Sequence, residues 1–155
     1  MRIIGVISDT HGLLRPEAVA ALEGSALILH AGDVGDLRVL ERLGEIAPVH
    51  AVRGNTDGGE LRKTLPATAV VDLGSGSIAY LLHGDEELDL DPASAGIALV
   101  VRGHTHLPRV ERRGGVLYLN PGSAGPRRFR LPVTVARVKV EPGGLDAEIV
   151  ELELG

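Results

Sequence analysis

The sequence predicts an α/β fold in which two β-sheets pack face to face with helices outside them. Three observations predict it. In the first half, short apolar runs alternate with segments of helical period, the βαβαβ pattern of a parallel sheet with right-handed crossovers. In the second half, short strands follow one another across Gly-rich turns, as in antiparallel pairs with one solvated face. The 155 residues are 44% hydrophobic but only 2% aromatic, enough for one domain over 1–155 with a core of Val, Leu, Ile and Ala.

"RIIGVIS" is a continuous apolar run, the signature of a strand buried on both faces. "RPEAVAALEG" reads as a helix, with Pro16 in its first turn, Glu17 early and Gly24 past its end. "ALILHAGD" is a second buried strand, and "DLRVLERLGE" a second helix capped by Asp36. "PVHAVRGN" is a third strand. "TAVVDLGSGSIAYLLHGD" holds two strands about a Gly/Ser turn, and "GIALVVRGHTH" a further one. "RVERRGGVLYLNPGS" is a hairpin turning at Gly114-Gly115, and "VTVARVKVEPGGLDAEIVELEL" another turning at Pro142-Gly143-Gly144. His30 and His50 fall inside strand patterns and read as satisfied core histidines or as supports for neighbouring groups. The exposed edge of the last hairpin leaves a homo-oligomer open.

Composition narrows the function. Without Cys there is no disulfide, thiolate metal site or Cys nucleophile. A formal charge of −5 and scarce aromatics count against nucleic acid, which wants a basic face and stacking platforms. No apolar run approaches a membrane span. Met1-Arg2 leads straight into "IIGVIS", too short for a signal peptide, so the expected location is the cytoplasm.

The chemistry gathers where the apolar runs stop. After "RIIGVIS" come Asp9 and His11; after "ALILHA", Asp33; after "PVHAVR", Asn55; after "IAYLL", His83; after "ALVVR", His104 and His106. Ligands in open α/β sheets collect outside the carboxyl ends of the strands, so these loops can converge on one rim. Two Asp, one Asn and four His suit Mn²⁺, Fe²⁺, Ni²⁺ or Zn²⁺. Seven donors exceed what one ion with an open position takes, but suit two ions about 3.5–4 Å apart. A ligand shared by both must be a carboxylate, because an imidazole nitrogen has one lone pair. Asn55 also suits a turn, and Asp57 reads as the organiser of its own loop.

The series "DTH", "GDVGD", "GNTD", "HGD", "GHTH", with "NPGS" at Asn120–Ser123, resembles the calcineurin-like metallophosphoesterases over about residues 1–125. Within them it is similar to the small YfcE-like phosphodiesterases of bacteria and archaea. The resemblance implies a four-layer αββα sandwich of two mixed sheets flanked by helices. It implies that Asp9, His11 and His106 hold one metal, that Asn55, His83 and His104 hold the other, and that Asp33 bridges them. Mn²⁺ is the expected ion, with Ni²⁺, Fe²⁺ and Zn²⁺ as alternatives. The expected activity is hydrolysis of a small phosphodiester or nucleotide-like substrate by a metal-bridging hydroxide.

Two positions depart from the family pattern. Larger relatives carry a His directly after the motif Asn; here it is Thr56, which cannot act as an acid near neutrality. Where "HGH" is common, this chain has "HGD", so the neighbour that the resemblance implies faces substrate is a carboxylate, Asp85, with three readings open: repelling a phosphate, contacting a metal through water, or acting as the missing acid. Asp33, Asn55 and Asp85 are the candidate catalytic residues. Thr56 and Arg127 are candidate substrate contacts, with Arg127 and Arg128 equally readable as a solvated pair. The alternative is a non-catalytic protein-interaction scaffold, like the retromer subunit related to this family. The full donor set favours an enzyme, while Thr56 and Asp85 keep the scaffold open.

Overall fold

The computed structural model describes residues 1–84, 88, 90–128 and 130–154. The chain runs β1 (Arg2–Ile7), α1 (Pro16–Leu22), β2 (Leu27–His30), α2 (Leu37–Gly44), β3 (Val49–Ala51), α3 (Gly59–Thr64), β4 (Thr68–Gly74), β5 (Ser77–Leu82), β6 (Leu99–Val101), β7 (Arg109–Arg113), β8 (Val116–Asn120), β9 (Thr134–Glu141) and β10 (Gly144–Glu151). These strands form two five-stranded sheets, ordered β10-β9-β1-β2-β3 and β4-β5-β6-β8-β7. The trio β1-β2-β3 is parallel, as is β5-β6-β8. The other pairs of these strands are antiparallel, so both sheets are mixed as expected.

The sheets pack on each other through one aliphatic core. Ile4, Val6, Leu27 and Leu29 of the first sheet meet Leu81, Leu99, Val101 and Leu117 of the second. The opposite face of the first sheet, with Ile7 and Ile28, is covered by Ala18 and Leu22 of α1, Val39 and Leu43 of α2, and Leu61 of α3. Helix α1 comes close because Gly5 has no side chain: a Cβ there would sit 2.8 Å from Leu22 Cδ2. Asp36 caps α2 as expected, accepting from the Arg38 N–H at 2.9 Å.

The outer face of the second sheet is covered differently. Tyr80, Leu82, Val100 and Val116 lie beneath Ile97, Leu88 and Leu90. Among the described residues this covering segment makes only a single helical turn, closed by the Ala95 N–H on the Asp91 carbonyl. Pro92 and the left-handed Gly96 (φ 77°) confine it.

Besides the outer face of the second sheet, where the resemblance implied a helical layer and none of α1–α3 lies, two details differ from the sequence reading. Helix α3 was not expected, because its six residues bury one side chain and are too short to show a helical period. His50 is exposed rather than a satisfied core group: β3 is an edge strand, and its alternation turns His50 to solvent. No helix among the described residues is long and apolar enough to cross a membrane.

Candidate metal centre

Parallel neighbours end on the same rim, so the loops after β1, β2, β3, β5 and β6 meet there. Backbone hydrogen bonds join the first two loops: Asp9 N–H to Gly32 O (2.9 Å), His11 N–H to Asp33 O (2.9 Å) and Gly12 N–H to Val34 O (2.8 Å). Among the described residues six non-glycines adopt positive φ. Five of them are Asp9 (56°), His11 (47°), Asp33 (54°), His104 (73°) and His106 (65°). Left-handed backbone is costly for such residues and persists where surrounding structure enforces it. The chain therefore spends conformational energy to aim these side chains inward.

All seven predicted donors come together. Asp9, His11 and His106 form one group and Asp33, His83 and His104 a second, each offering ligand atoms within 4.8 Å of one another. Asp9 Oδ1 lies 3.3 Å from His106 Nε2 and 3.9 Å from His11 Nε2. Asn55 joins the second group, its Oδ1 2.9 Å from His83 Nε2 and 3.1 Å from His104 Nδ1. Asp33 stands between the groups, with Oδ2 3.1 Å from His83 Nε2 and 3.7 Å from His11 Nε2.

Several acceptors of this nest face one another without a donor between them. His83 Nδ1 lies 2.7 Å from the Ala31 carbonyl, which can only accept, so Nδ1 carries the proton. In the neutral ring, Nε2 then presents a lone pair to Asp33 Oδ2 and Asn55 Oδ1, two further acceptors. Acceptors facing one another require a proton or a cation. Burial lowers the His83 pKa, but the Asp33 contact, the Ala31 carbonyl and the charges of Asp9 and Asp33 outweigh it and raise it. Burial also raises Asp33, yet bonds from His83 and Thr56 bring it well below the carboxylate range. Burial, Arg128 and His11 lower His106 against the opposing charge of Asp9. Asp9 Oδ1 and His11 Nε2 are buried with no hydrogen-bond partner. Hard anionic oxygens and imidazole lone pairs left unsatisfied in a buried pocket fit divalent cations.

The surrounding residues hold these donors in place. Asp9 Oδ2 accepts from Ser8 Oγ (2.6 Å) and the His104 N–H (3.1 Å). Asn120 and Ser123 of "NPGS" reach the same loops: Asn120 Nδ2 donates to Gly103 O (3.0 Å) and Ser123 Oγ to Asp9 O (3.1 Å). Asp57 does more than order its own loop. It accepts from the Val34 and Gly35 N–H groups (3.1 and 3.0 Å) and from the Gly54 N–H (2.9 Å), tying the Asp33 loop to the Asn55 loop. A Cβ at Gly54 would overlap the Asp33 carboxylate and amide, so glycine is required for this approach.

His30 is buried as expected, beneath the centre. Its Nδ1 accepts from the Gly32 N–H (3.1 Å), so Nε2 carries the proton toward Thr10 Oγ1 (3.1 Å), which donates to Val34 O (2.8 Å). A second ring proton would face the Gly32 N–H, and burial lowers the pKa to about 4. Below pH 6.5 the unfolded chain takes up a proton that the folded protein refuses. Stability of the metal-free protein should thus fall by up to about 3 kcal/mol between about pH 6.5 and 4 through this group. An NMR titration showing His30 protonated near pH 6.5 in the folded state would overturn this.

The predicted substrate contacts fare unequally. Thr56 is exposed and its backbone N–H donates to Asp33 Oδ1 at 2.9 Å, so its recorded contact supports that carboxylate. Arg127 is exposed, and it is the charge of its neighbour Arg128 that bears on His106. Asp85, with Glu86 and Glu87, lies outside the described residues. Sequence reasoning missed the Ala31 carbonyl and the double reach of Asp57. For Asp57 the only local signal was an acid two residues from Asn55.

Cation binding should be visible in stability. Mn²⁺ at about 100 times its Kd stabilises by about 3 kcal/mol. For a chain of this size that is a Tm rise of about 5–10 °C. Thermal melts with Mn²⁺ and with excess chelator test this, and identical curves would count against a cation site.

Comparison with known proteins agrees with the geometry. Residues 1–143 match the calcineurin-like phosphoesterase superfamily domain. A protein of Methanocaldococcus jannaschii named "Probable metallophosphoesterase" is 34% identical over 165 residues, covering 97% of this chain and 82% of its own. Phosphodiesterase YfcE of Escherichia coli is 34% identical over 142 residues, covering 75% of this chain and 76% of its own. The YfcE structure superposes with a TM-score of 0.69 over 88% of each chain at 27% identity. Vps29 of Chaetomium thermophilum shares the fold, with a TM-score of 0.76 over 97% of each chain at 21% identity. With its donors gathered on the rim of two mixed sheets, the chain belongs to the calcineurin-like phosphoesterase superfamily.

Proposed function

We propose that the protein is a divalent-metal-dependent phosphodiesterase with a binuclear centre. The observation that carries this reading is the pair of donor groups with Asp33 between them. Asp9, His11 and His106 would hold one cation, Asn55, His83 and His104 the other, and Asp33 both. Cations held there would supply charge to offset the phosphate oxygens and would lower the pKa of an attacking water towards neutrality. The chain's own residues supply the orientation. The Ala31 carbonyl sets the His83 tautomer, the Thr56 N–H holds Asp33, and Ser8 and the His104 N–H hold Asp9. Arg127 and Arg128 are both exposed, and either would offer a guanidinium to a substrate phosphate.

No imidazole follows Asn55 to protonate a departing alkoxide, so good leaving groups are favoured. The test is hydrolysis of bis(p-nitrophenyl) phosphate and a series of aryl methyl phosphates by chelator-stripped protein, with and without Mn²⁺. Turnover should return with the metal and fall steeply as leaving-group pKa rises. A flat series would reveal an acid elsewhere, with Asp85 the first candidate. No turnover with Mn²⁺, Ni²⁺, Fe²⁺ or Zn²⁺ would favour the scaffold reading, which the shared Vps29 fold alone does not support over an enzyme.

A further inference from the structure

Against the Asn55, His83 and His104 side of the centre opens a cleft of about 410 Å³, whose walls also include Arg53 and Arg62. That volume lies in the range of small-molecule sites. Its described lining has two guanidinium groups and no carboxylate, in a chain whose formal charge is −5. Some exposed arginines are already paired with acids, Arg38 with Asp36, Arg42 with Glu45 and Arg109 with Glu111. Among the described residues neither Arg53 nor Arg62 has such a partner. Arg53 is also held in place. It is half-buried, its guanidinium donates to Leu65 O at 3.0 Å, and its backbone N–H donates to Pro66 O at 2.9 Å. A guanidinium fixed in this way loses little entropy on binding, and its fork matches a phosphate or carboxylate. Arg62 stands exposed on α3, which the buried Leu61 anchors to the core.

We propose that this cleft receives a second anionic group of the substrate, a phosphate or carboxylate separate from the phosphodiester at the centre. This rests on the phosphodiesterase reading and narrows it to substrates with at least two negative groups. Arg53 and Arg62 are then determinants of specificity, with Arg53 the fixed contact and Arg62 the adaptable one.

The experiment is calorimetric titration of the Mn²⁺-loaded protein with thymidine 3′,5′-bisphosphate and with thymidine 5′-monophosphate. The bisphosphate should bind at least about tenfold more tightly. Arg62→Glu should abolish or reverse that advantage; since Arg62 is exposed, misfolding would not explain the result. Arg53→Lys should retain part of the advantage and Arg53→Met lose it. Equal affinities for the two nucleotides, or an advantage that survives in Arg62→Glu and Arg53→Met, would overturn the proposal. Turnover separates the two readings. A bisphosphate advantage without hydrolysis of thymidine 5′-(p-nitrophenyl phosphate) upholds the cleft and sinks the phosphodiesterase. Hydrolysis without any advantage does the reverse.

Discussion

Asp33→Ala is expected to lower Mn²⁺-restored turnover of bis(p-nitrophenyl) phosphate by at least about a thousandfold. Its two oxygens do different work. Oδ2 stands 3.1 Å from His83 Nε2 and 3.7 Å from His11 Nε2, within reach of both donor groups. Oδ1 accepts the Thr56 N–H, which keeps Oδ2 aimed between them. Alanine removes the shared charge and leaves each group with neutral imidazoles and, on one side, Asp9. Metal content after dialysis should drop below the wild-type value, while the fold, read by circular dichroism, should persist. Asp33→Asn keeps the shape but not the charge and should fall between. Activity of Asp33→Ala within tenfold of wild type would remove Asp33 from the centre.

Asp57→Ala should be the most costly change in the supporting shell. The carboxylate is buried and accepts three backbone N–H groups, from Val34, Gly35 and Gly54. Alanine strands these donors where water has little access. The expected loss is about 3–5 kcal/mol of stability, or a Tm drop of about 10 °C. Because the bonds join the Asp33 and Asn55 loops, Mn²⁺ affinity should also weaken by about 10–100-fold. Asp57→Asn offers one accepting oxygen and should recover part of both. Chemical denaturation and metal titration read the two effects. A loss under 1 kcal/mol with unchanged affinity would show that the loops hold each other without Asp57.

Much of this site was legible in the chain because strand ends are chemically marked. Each buried run stops abruptly at a Gly or a polar donor, so the seven donors could be read off with the strands that carry them. The hairpins at Gly114-Gly115 and Pro142-Gly143 were legible for a similar reason, since few residues make such turns. Other features left no local mark. Helix α3 is too short to show a period, and the exposure of His50 depends on β3 being an edge, which sheet order decides. Asp57 looked like a turn residue because Val34 and Gly35 lie over twenty positions away. That the described walls of the cleft hold Arg53 and Arg62 but no carboxylate is likewise a property of what folding brings together.

The sequence by itself determined the donor types, the order of strands along the chain and the aliphatic character of the core. These follow from side-chain chemistry and from periods repeated over a few residues. Only the tertiary structure decided which loops meet, which histidine nitrogen carries its proton, and that Asp9, His11, Asp33, His104 and His106 are forced into left-handed backbone. Those depend on contacts between segments far apart in the chain, where a carbonyl or carboxylate from one loop meets a donor from another, and no short window contains both partners.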